Sequence, residues 1–177
     1  MADDGVAMSN TTLPTTDQPF VLPFGEGEHR NFLNHLATTK IAADSGASMN
    51  VIEFTQPKGF GAPLHVHETE DELMIILEGE IRFTSGETTF VGTAGATAWL
   101  PHGVPHTFQV LSEEARCIVV TAANDGPLQF ENFVGELGEP MAEPVMPEEG
   151  PIDPEAVAMA GARNGLQILG PPPAMVV

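Results

Sequence analysis

The stretch that decides the fold is "PLHVHETEDELMIILEGEIRF", residues 63–83. It contains alternating apolar and polar residues, an acidic segment at 68–71, and a glycine, Gly79, before the last run. In a β-strand, side chains two positions apart share a face, so His65 and His67 point to the same side. The stretch therefore predicts two strands joined by an acidic turn, followed by a hairpin whose tight turn uses the glycine.

Glu72 is the carboxylate that this pattern places next to the two imidazoles. It is in phase with Met74 and Ile76, so it is expected on the same apolar face as they are. A buried carboxylate beside buried imidazoles is unfavourable unless a cation compensates, and two imidazoles with one carboxylate suit a first-row transition metal. Glu70 and Asp71 remain alternatives as the carboxylate ligand; otherwise these two and the rest of the acidic turn are expected to face water.

Three further histidines are candidates for the same site. His106 begins a strand after the turn "PHGVP" and is predicted to point inward, with Phe108 on the same face as the best pocket wall. His102 lies within that turn and is expected to be exposed, with a role at the pocket rim as the alternative. His35 lies in "FLNHLATTK", where a structural histidine is favoured over one that faces the pocket.

The rest of the chain indicates one all-β domain with an acidic C-terminal extension. Residues 1–18 are predicted to be a flexible segment, and 19–125 to form the β-barrel, with short strands ended by Gly, Pro, Asp or Ser. Residues 126–177 are predicted to pack on the barrel, and their acidic, proline-rich part at 131–155 is predicted to wrap over it in extended form. A helix is expected at about 154–164, where Asp153 supplies the N-cap, and a short strand follows.

Composition excludes several classes of function. The chain has 177 residues and a formal net charge of −19, so nucleic acids and anionic membranes are not expected as partners. It has no tyrosine, which excludes mechanisms that need a tyrosyl acid or base. The single cysteine, Cys117, lies in an apolar run and is expected in the core, and the large aromatic Trp99 is expected there too. The first ten residues do not have the pattern of a signal peptide, so a cytoplasmic protein is expected.

The spacing of these residues closely resembles the two sequence motifs of the cupin superfamily. The first motif is a glycine, a short spacer, His-x-His, three or four residues, Glu, six residues and Gly. His65, His67, Glu72 and Gly79 match that spacing, whereas Gly61 lies nearer to the first histidine than is usual.

The second motif is Gly, five residues, Pro-x-Gly, two residues, His, three residues and Asn. Gly95, Pro101, Gly103 and His106 match it, whereas Val110 replaces the Asn. The resemblance implies a double-stranded β-helix, or jelly-roll barrel, with a short C-terminal helix. It also implies that His65, His67, Glu72 and His106 bind one divalent transition metal: Fe, Mn, Co, Ni or Cu, with Zn also compatible.

A narrower resemblance is carried by "APLHVHETEDELMIILEGEIRF" and "WLPHGVPHTFQV", followed by the acidic, proline-rich segment and the terminal "ILGPPP". These stretches resemble single-domain cupins of the bacterial quercetin 2,3-dioxygenase type, which share the trailing helix and the "LGPP" ending. This resemblance implies a metal-dependent dioxygenase for a small aromatic or enolisable substrate, with Glu72 as both metal ligand and general base. The pocket walls are expected to be Met74, Ile76, Phe108 and Val110. A non-oxidative metal-dependent isomerase, cyclase or hydratase, and a non-catalytic ligand-binding cupin, remain open. A homodimer is also expected, since cupins commonly pair through sheet edges.

Overall fold

Two antiparallel sheets face each other and enclose the core. The computed structural model describes residues 13–42, 46–123 and 125–174, so the first twelve residues of the predicted N-terminal segment lie outside it. The larger sheet contains β1 (Glu28–Phe32), β2 (His35–Ile41), β3 (Asn50–Pro57), β5 (Glu70–Glu78), β8 (Thr97–Leu100), β10 (Glu114–Ala123) and β11 (Glu139–Met141). The smaller sheet contains β4 (Leu64–His67), β6 (Glu80–Ser85), β7 (Thr88–Thr93), β9 (His106–Val110) and β12 (Leu166–Gly170).

The strand order alternates early and late segments of the chain, as in a jelly roll. Within the described residues, the larger sheet has the order β11-β1-β2-β3-β10-β5-β8, and the smaller sheet has the order β12-β4-β9-β6-β7. Neighbouring strands of the chain, β4 and β5, thus lie in opposite sheets. The predicted all-β barrel with a short C-terminal helix is confirmed, and residues from β4, β5 and β9 come together between the sheets.

Buried and partly exposed residues alternate along β5, so one face of this strand points into the barrel. Its burial follows the period of two that a strand with one buried face requires. The inward residues are Glu70, Glu72, Met74 and Ile76, all at most 4% exposed. β5 pairs with β10 on one side and with β8, the last strand of the described sheet, on the other, so both of its edges are hydrogen-bonded.

In the part of the chain that the structure describes, two helices cover the barrel. α2 (Pro154–Arg163) lies where the sequence predicts a helix, and the Asp153 carboxylate caps it by accepting a hydrogen bond from the backbone N–H of Glu155 at 2.9 Å. α1 (Phe130–Leu137) was not predicted: residues 131–155 were expected to be extended throughout, which is wrong for the first part of that segment. α1 forms because its apolar residues recur at helical spacing, and Phe130, Phe133 and Val134 are buried against the barrel.

A strained turn joins β1 to β2. Leu33 and Asn34 have φ values of +51° and +67°, the left-handed pair that a two-residue hairpin requires. This conformation is unfavourable for leucine. The Asn34 side chain holds the turn in place because it donates to the carbonyl oxygen of Gly150 at 2.8 Å and accepts from its N–H at 3.0 Å.

The predicted burial of single residues has mixed outcomes. Cys117 is fully buried, as expected. Trp99 was expected in the core but is 57% exposed, because its neighbours Ala98 and Leu100 occupy the inward positions of β8. None of the helices that the structure describes has the length and apolar character needed to cross a bilayer.

Candidate metal centre

Four buried side chains converge between the two sheets. His65, His67, Glu72 and His106 each offer one ligand atom, and these atoms all lie within 4.8 Å of one another. The Oε2 atom of Glu72 is 3.1 Å from the Nε2 atom of His67 and 3.3 Å from the Nε2 atom of His106. These are the four residues that the sequence motifs indicate, and their convergence produces a group that could hold a metal ion.

Strand pairing explains the convergence. His65 and His67 occupy the two buried positions of β4, and His65 lies opposite His106 in the antiparallel pair β4–β9. Glu72 comes from the facing sheet, where it lies opposite Leu100 on β8 and Thr121 on β10. The smaller sheet therefore supplies three imidazoles, and the larger sheet supplies the carboxylate.

Backbone carbonyls set the tautomers of two of the imidazoles. The Nδ1 atom of His65 is 2.8 Å from the carbonyl oxygen of Pro63, and the Nδ1 atom of His106 is 2.9 Å from that of Val104. A carbonyl oxygen can only accept, so each Nδ1 carries the proton and each Nε2 keeps a free lone pair. A histidine that binds a metal through Nε2 typically has this outer hydrogen bond.

The inner nitrogen atoms have no other partner that would satisfy them. Among the described residues, the Nε2 atoms of His67 and His106 are buried and make no hydrogen bond, although both are close to the Glu72 carboxylate. Buried polar atoms of this kind are rare in stable proteins because each loses its interactions with water. A cation between the four ligand atoms would satisfy them, so the residues present fit a divalent metal.

Electrostatics gives Glu72 and His65 the protonation states that a metal needs. Burial alone would raise the pKa of Glu72. The neighbouring His106 and His67 rings lower it by more than burial raises it, so the net pKa is strongly lowered. Burial, together with the adjacent His106 and His67, lowers the pKa of His65 to about 4. For His106, burial lowers the pKa, and the stronger effect of Glu72 gives a net rise. At neutral pH the group thus contains a carboxylate and a neutral His65.

The two alternative carboxylates have other roles. Glu70 is buried, which corrects the expectation that it faces water, and its Oε2 atom accepts from the backbone N–H of Phe130 at 2.9 Å, where α1 begins. Burial raises the pKa of Glu70. Asp71 accepts hydrogen bonds from the backbone N–H and the ring Nδ1 of His102, at 3.0 and 2.7 Å. Neither carboxylate belongs to the four-residue group, which leaves Glu72 as its carboxylate.

A largely apolar cavity borders the four-residue group of His65, His67, Glu72 and His106, which is called the metal group below. Its volume is about 70 Å³, it is partly open to solvent, and both Glu72 and His65 line it. The other lining residues are mostly aromatic or aliphatic: Phe32, Leu33, His35, Phe54, Gln56, Phe60, Ala62, Pro63, Phe108, Val119, Phe130, Phe133, Val157, Leu166 and Ile168.

Three of the four predicted pocket residues lie elsewhere. Phe108 lines the cavity, but Met74, Ile76 and Val110 do not, and all three are packed in the core. Each step of two residues moves about 7 Å along a strand. Met74 and Ile76 share the face of Glu72 but lie progressively farther along β5, so they pack in the core away from the cavity.

Two polar residues of the cavity wall were not predicted to be there. His35 is 1% exposed and Gln56 is 2% exposed, and both line the cavity. His35 was expected to be structural. Gln56 could have been found from β3, because the inward positions Asn50, Ile52 and Phe54 are followed in phase by Gln56. His102 is half-exposed, as expected, and is not among the residues that line the cavity.

Comparison with known proteins agrees with this architecture. Residues 52–121 match the family described as "Cupin domain". A "Quercetin 2,3-dioxygenase" of Bacillus subtilis (strain 168) is 30% identical over 111 residues, which are 62% of this chain and 33% of that protein. This chain thus spans about a third of the length of that relative.

A solved structure supports the fold. A "Cupin 2 conserved barrel domain protein" from Salinispora arenicola CNS-205 superposes with a TM-score of 0.51 at 19% identity, over 60% of this chain and 91% of that one. The strand order, the four converging ligand residues and the family match agree with one another. Residues 52–121 thus resemble a cupin domain in sequence, and the described barrel shares its fold with a solved cupin protein.

Proposed function

We propose that this chain is a metal-dependent oxygenase that acts on a flat, hydroxylated aromatic or otherwise enolisable substrate. The observation that carries the proposal is that Glu72 and His65 line the largely apolar cavity, so a ligand in the cavity touches the metal group. The relative named for quercetin dioxygenation supports the same reaction class, although this chain matches only a third of it.

The metal would be held by the three imidazoles and by Glu72. When bound, it supplies a Lewis acid for a substrate oxygen and electron transfer to dioxygen. The carbonyls of Pro63 and Val104 orient two of the imidazoles, so those side chains are fixed before any ligand enters.

Glu72 is the residue that can take a proton from the substrate. It is ionised at neutral pH, because the neighbouring His106 and His67 keep its pKa low in spite of its burial. Glu72 lines the cavity, which supports a contact between its carboxylate and a substrate hydroxyl. The proton moves from that hydroxyl to the carboxylate, and the substrate becomes an enolate or phenolate.

The cavity wall favours a flat aromatic substrate and excludes water. Phe54, Phe108, Phe130 and Phe133 present aromatic rings, and Val119 and Leu166 add aliphatic surface. Rings in such a wall pack well against the faces and edges of an aromatic ligand. A dry wall also protects a deprotonated substrate from being protonated again by bulk water.

Oxygen uptake tests the proposal. Protein loaded separately with Fe, Mn, Co, Ni or Cu is mixed with a panel of flavonols and catechols, and oxygen consumption is compared with substrate loss. At least one metal and substrate should give equimolar consumption. Glu72→Gln should lower the rate at least about a hundredfold, since it removes the proton acceptor. Asp71→Asn, a neighbouring carboxylate outside the group, is the matched control and should keep the rate.

The same assay separates the alternatives. Substrate conversion without oxygen uptake would contradict the proposal and favour a non-oxidative isomerase, cyclase or hydratase. Tight binding of an unchanged ligand with every metal would contradict it as well and would favour a binding protein.

A further inference from the structure

His35 and Gln56 form a polar pair in the cavity wall that the metal chemistry does not use. Leu36 lies opposite Thr55 in the antiparallel ladder between β2 and β3, so the next position places His35 beside Gln56. Side chains directly opposite each other in such a ladder have Cβ atoms about 5 Å apart. Both residues are buried and both line the cavity, so they present one joint polar surface to its interior.

This pair is separated from the metal group by aromatic rings. The ring of His67 is 5.4 Å from the ring of Phe130, which is 6.3 Å from Phe54, and Phe54 is 5.3 Å from His35. A ligand that reaches from the metal group to the pair therefore passes along aromatic side chains. The cavity thus has polar groups at two separate places and an apolar surface between them.

His35 offers a hydrogen-bond acceptor to the cavity. Its Nδ1 atom is 3.3 Å from the carbonyl oxygen of Leu33, so this nitrogen carries the proton and Nε2 keeps its lone pair. Burial lowers the pKa of His35 to about 3, so the ring is neutral at physiological pH. The ring is held by Phe60, at 4.2 Å between centroids, and by the strained turn that precedes it.

Gln56 offers an amide oxygen that has no hydrogen-bond partner among the described residues. Its Oε1 atom is buried and accepts no hydrogen bond from any residue that the structure describes. Leaving a buried amide oxygen unpaired is unfavourable by an amount comparable to a lost hydrogen bond. Such a group in a ligand cavity is explained if a ligand supplies the partner.

The charge of the wall restricts the ligand chemistry. Neither lysine nor arginine occurs among the described residues that line the cavity, and the chain has a net charge of −19. A carboxylate or phosphate at this place would meet no positive group. A hydroxyl group suits both members of the pair, because it can donate to the Nε2 atom of His35 and can donate to or accept from the amide of Gln56.

We propose that His35 and Gln56 are specificity-determining residues that bind an uncharged hydroxyl group on the part of the substrate remote from the metal. The substrate is then an elongated aromatic with at least two separate oxygen functions, one at the metal group and one at this pair. This inference rests on the proposed function for the class of substrate, and it adds which part of the substrate is recognised.

Binding of two matched flavonols to metal-loaded protein tests the pair. Quercetin and 3-hydroxyflavone share the hydroxyketone that can reach the metal group, and they differ in the hydroxyls on the outer rings. Wild type should bind quercetin about tenfold more tightly than 3-hydroxyflavone, as two modest hydrogen bonds imply. In His35→Phe and in Gln56→Met this ratio should fall to about two or less, with unchanged metal content.

The matched control is His29→Phe. His29 is also fully buried and lies on β1, but it is not among the residues that line the cavity, so this variant should keep the wild-type ratio. A ratio near one in wild type, or an unchanged ratio in both cavity variants, would overturn the inference. Binding of neither flavonol would overturn it together with the substrate class.

Oxygen uptake measured in parallel distinguishes the two proposals. A preference for quercetin that the cavity variants lose, without oxygen uptake, supports the pair and contradicts the oxygenase. Oxygen uptake with no such preference supports the oxygenase and contradicts the pair.

Discussion

His65 and His106 lie directly opposite each other on the paired strands β4 and β9, with their ring centroids 4.4 Å apart. Each ring donates through Nδ1 to a carbonyl two residues earlier in its own chain segment, Pro63 for His65 and Val104 for His106. The two strands thus share one arrangement: a backbone carbonyl just before the strand orients the first buried imidazole of that strand. The inner nitrogens face a common point with the Glu72 carboxylate.

Gly79 should be among the least replaceable glycines of the barrel. It has φ +83°, and a Cβ atom there would lie 2.4 Å from the carbonyl oxygen of Glu114 and 2.8 Å from the Cα atom of Ala115. Gly79→Ala should lower the free energy of unfolding by about 3 kcal/mol or more, since backbone strain and a clash with backbone atoms add together. Urea denaturation measures this change.

Gly95 provides the matched control for that substitution. Its φ is +87°, but a Cβ atom there would meet nothing within 4 Å. Gly95→Ala should therefore lower stability only by the strain, about 1 kcal/mol. Equal losses in the two variants would contradict the predicted close approach of Gly79 to β10.

Gln56 and Gln109 should respond in opposite ways to the same substitution. Gln56 has an unpaired buried oxygen, whereas Gln109 accepts from Arg82 at 2.5 Å and donates to the carbonyl oxygen of Ala174 at 3.2 Å. Gln56→Met should leave the free energy of unfolding unchanged or raise it by up to about 1 kcal/mol. Gln109→Met should lower it by about 1–3 kcal/mol, since it leaves partners unpaired.

Thermal and urea unfolding of ligand-free protein check this pair of variants. A loss in Gln56→Met as large as that in Gln109→Met would show that Gln56 has a structural role. That result would remove the reason for assigning its amide to a ligand.

His35 should make the stability of the protein depend on pH. Burial lowers its pKa to about 3 in the folded state, whereas an unfolded histidine titrates near 6.5. The unfolded chain therefore binds more protons between these values, so the contribution of His35 is complete above about pH 6.5 and is lost as the pH falls toward 3. The expected slope is about 1.4 kcal/mol per pH unit.

The measurement is the free energy of unfolding between pH 7 and pH 4.5, in chelator so that loss of metal does not contribute. His35→Phe should show a slope smaller by about 1.4 kcal/mol per pH unit, equivalent to one proton fewer taken up on unfolding. Identical slopes in wild type and variant would contradict the neutral, buried state of His35.

The ligand group could be predicted from the sequence because its spacing reflects strand geometry directly. His65 and His67 share a face by the period of two, and Glu72 is in phase with the apolar residues of β5. The same period also places Glu70 on the buried face. Its burial was missed because residues 68–71 were interpreted as a turn, whereas β5 already begins at Glu70.

The cavity could not be predicted to the same degree, because it depends on elements far apart in the chain. Phe130 and Phe133 reach it from α1, whose helical spacing was obscured by the acidic residues and prolines around it. His35 reaches it through the turn at Leu33 and Asn34, whose left-handed backbone has no glycine to signal it. A local pattern identifies the face of a strand, but the packing of several elements decides which residues border an open space.

Metal content tests the central claim most directly. The protein is purified without added metal and analysed by elemental mass spectrometry, together with His65→Ala and with His102→Ala, a half-exposed histidine outside the four-residue group. Wild type and His102→Ala should each contain close to one divalent transition metal ion per chain. Folded His65→Ala should retain less than about a tenth of that amount, since it removes one of four ligands. Equal metal content in His65→Ala and wild type would contradict the assignment of this centre.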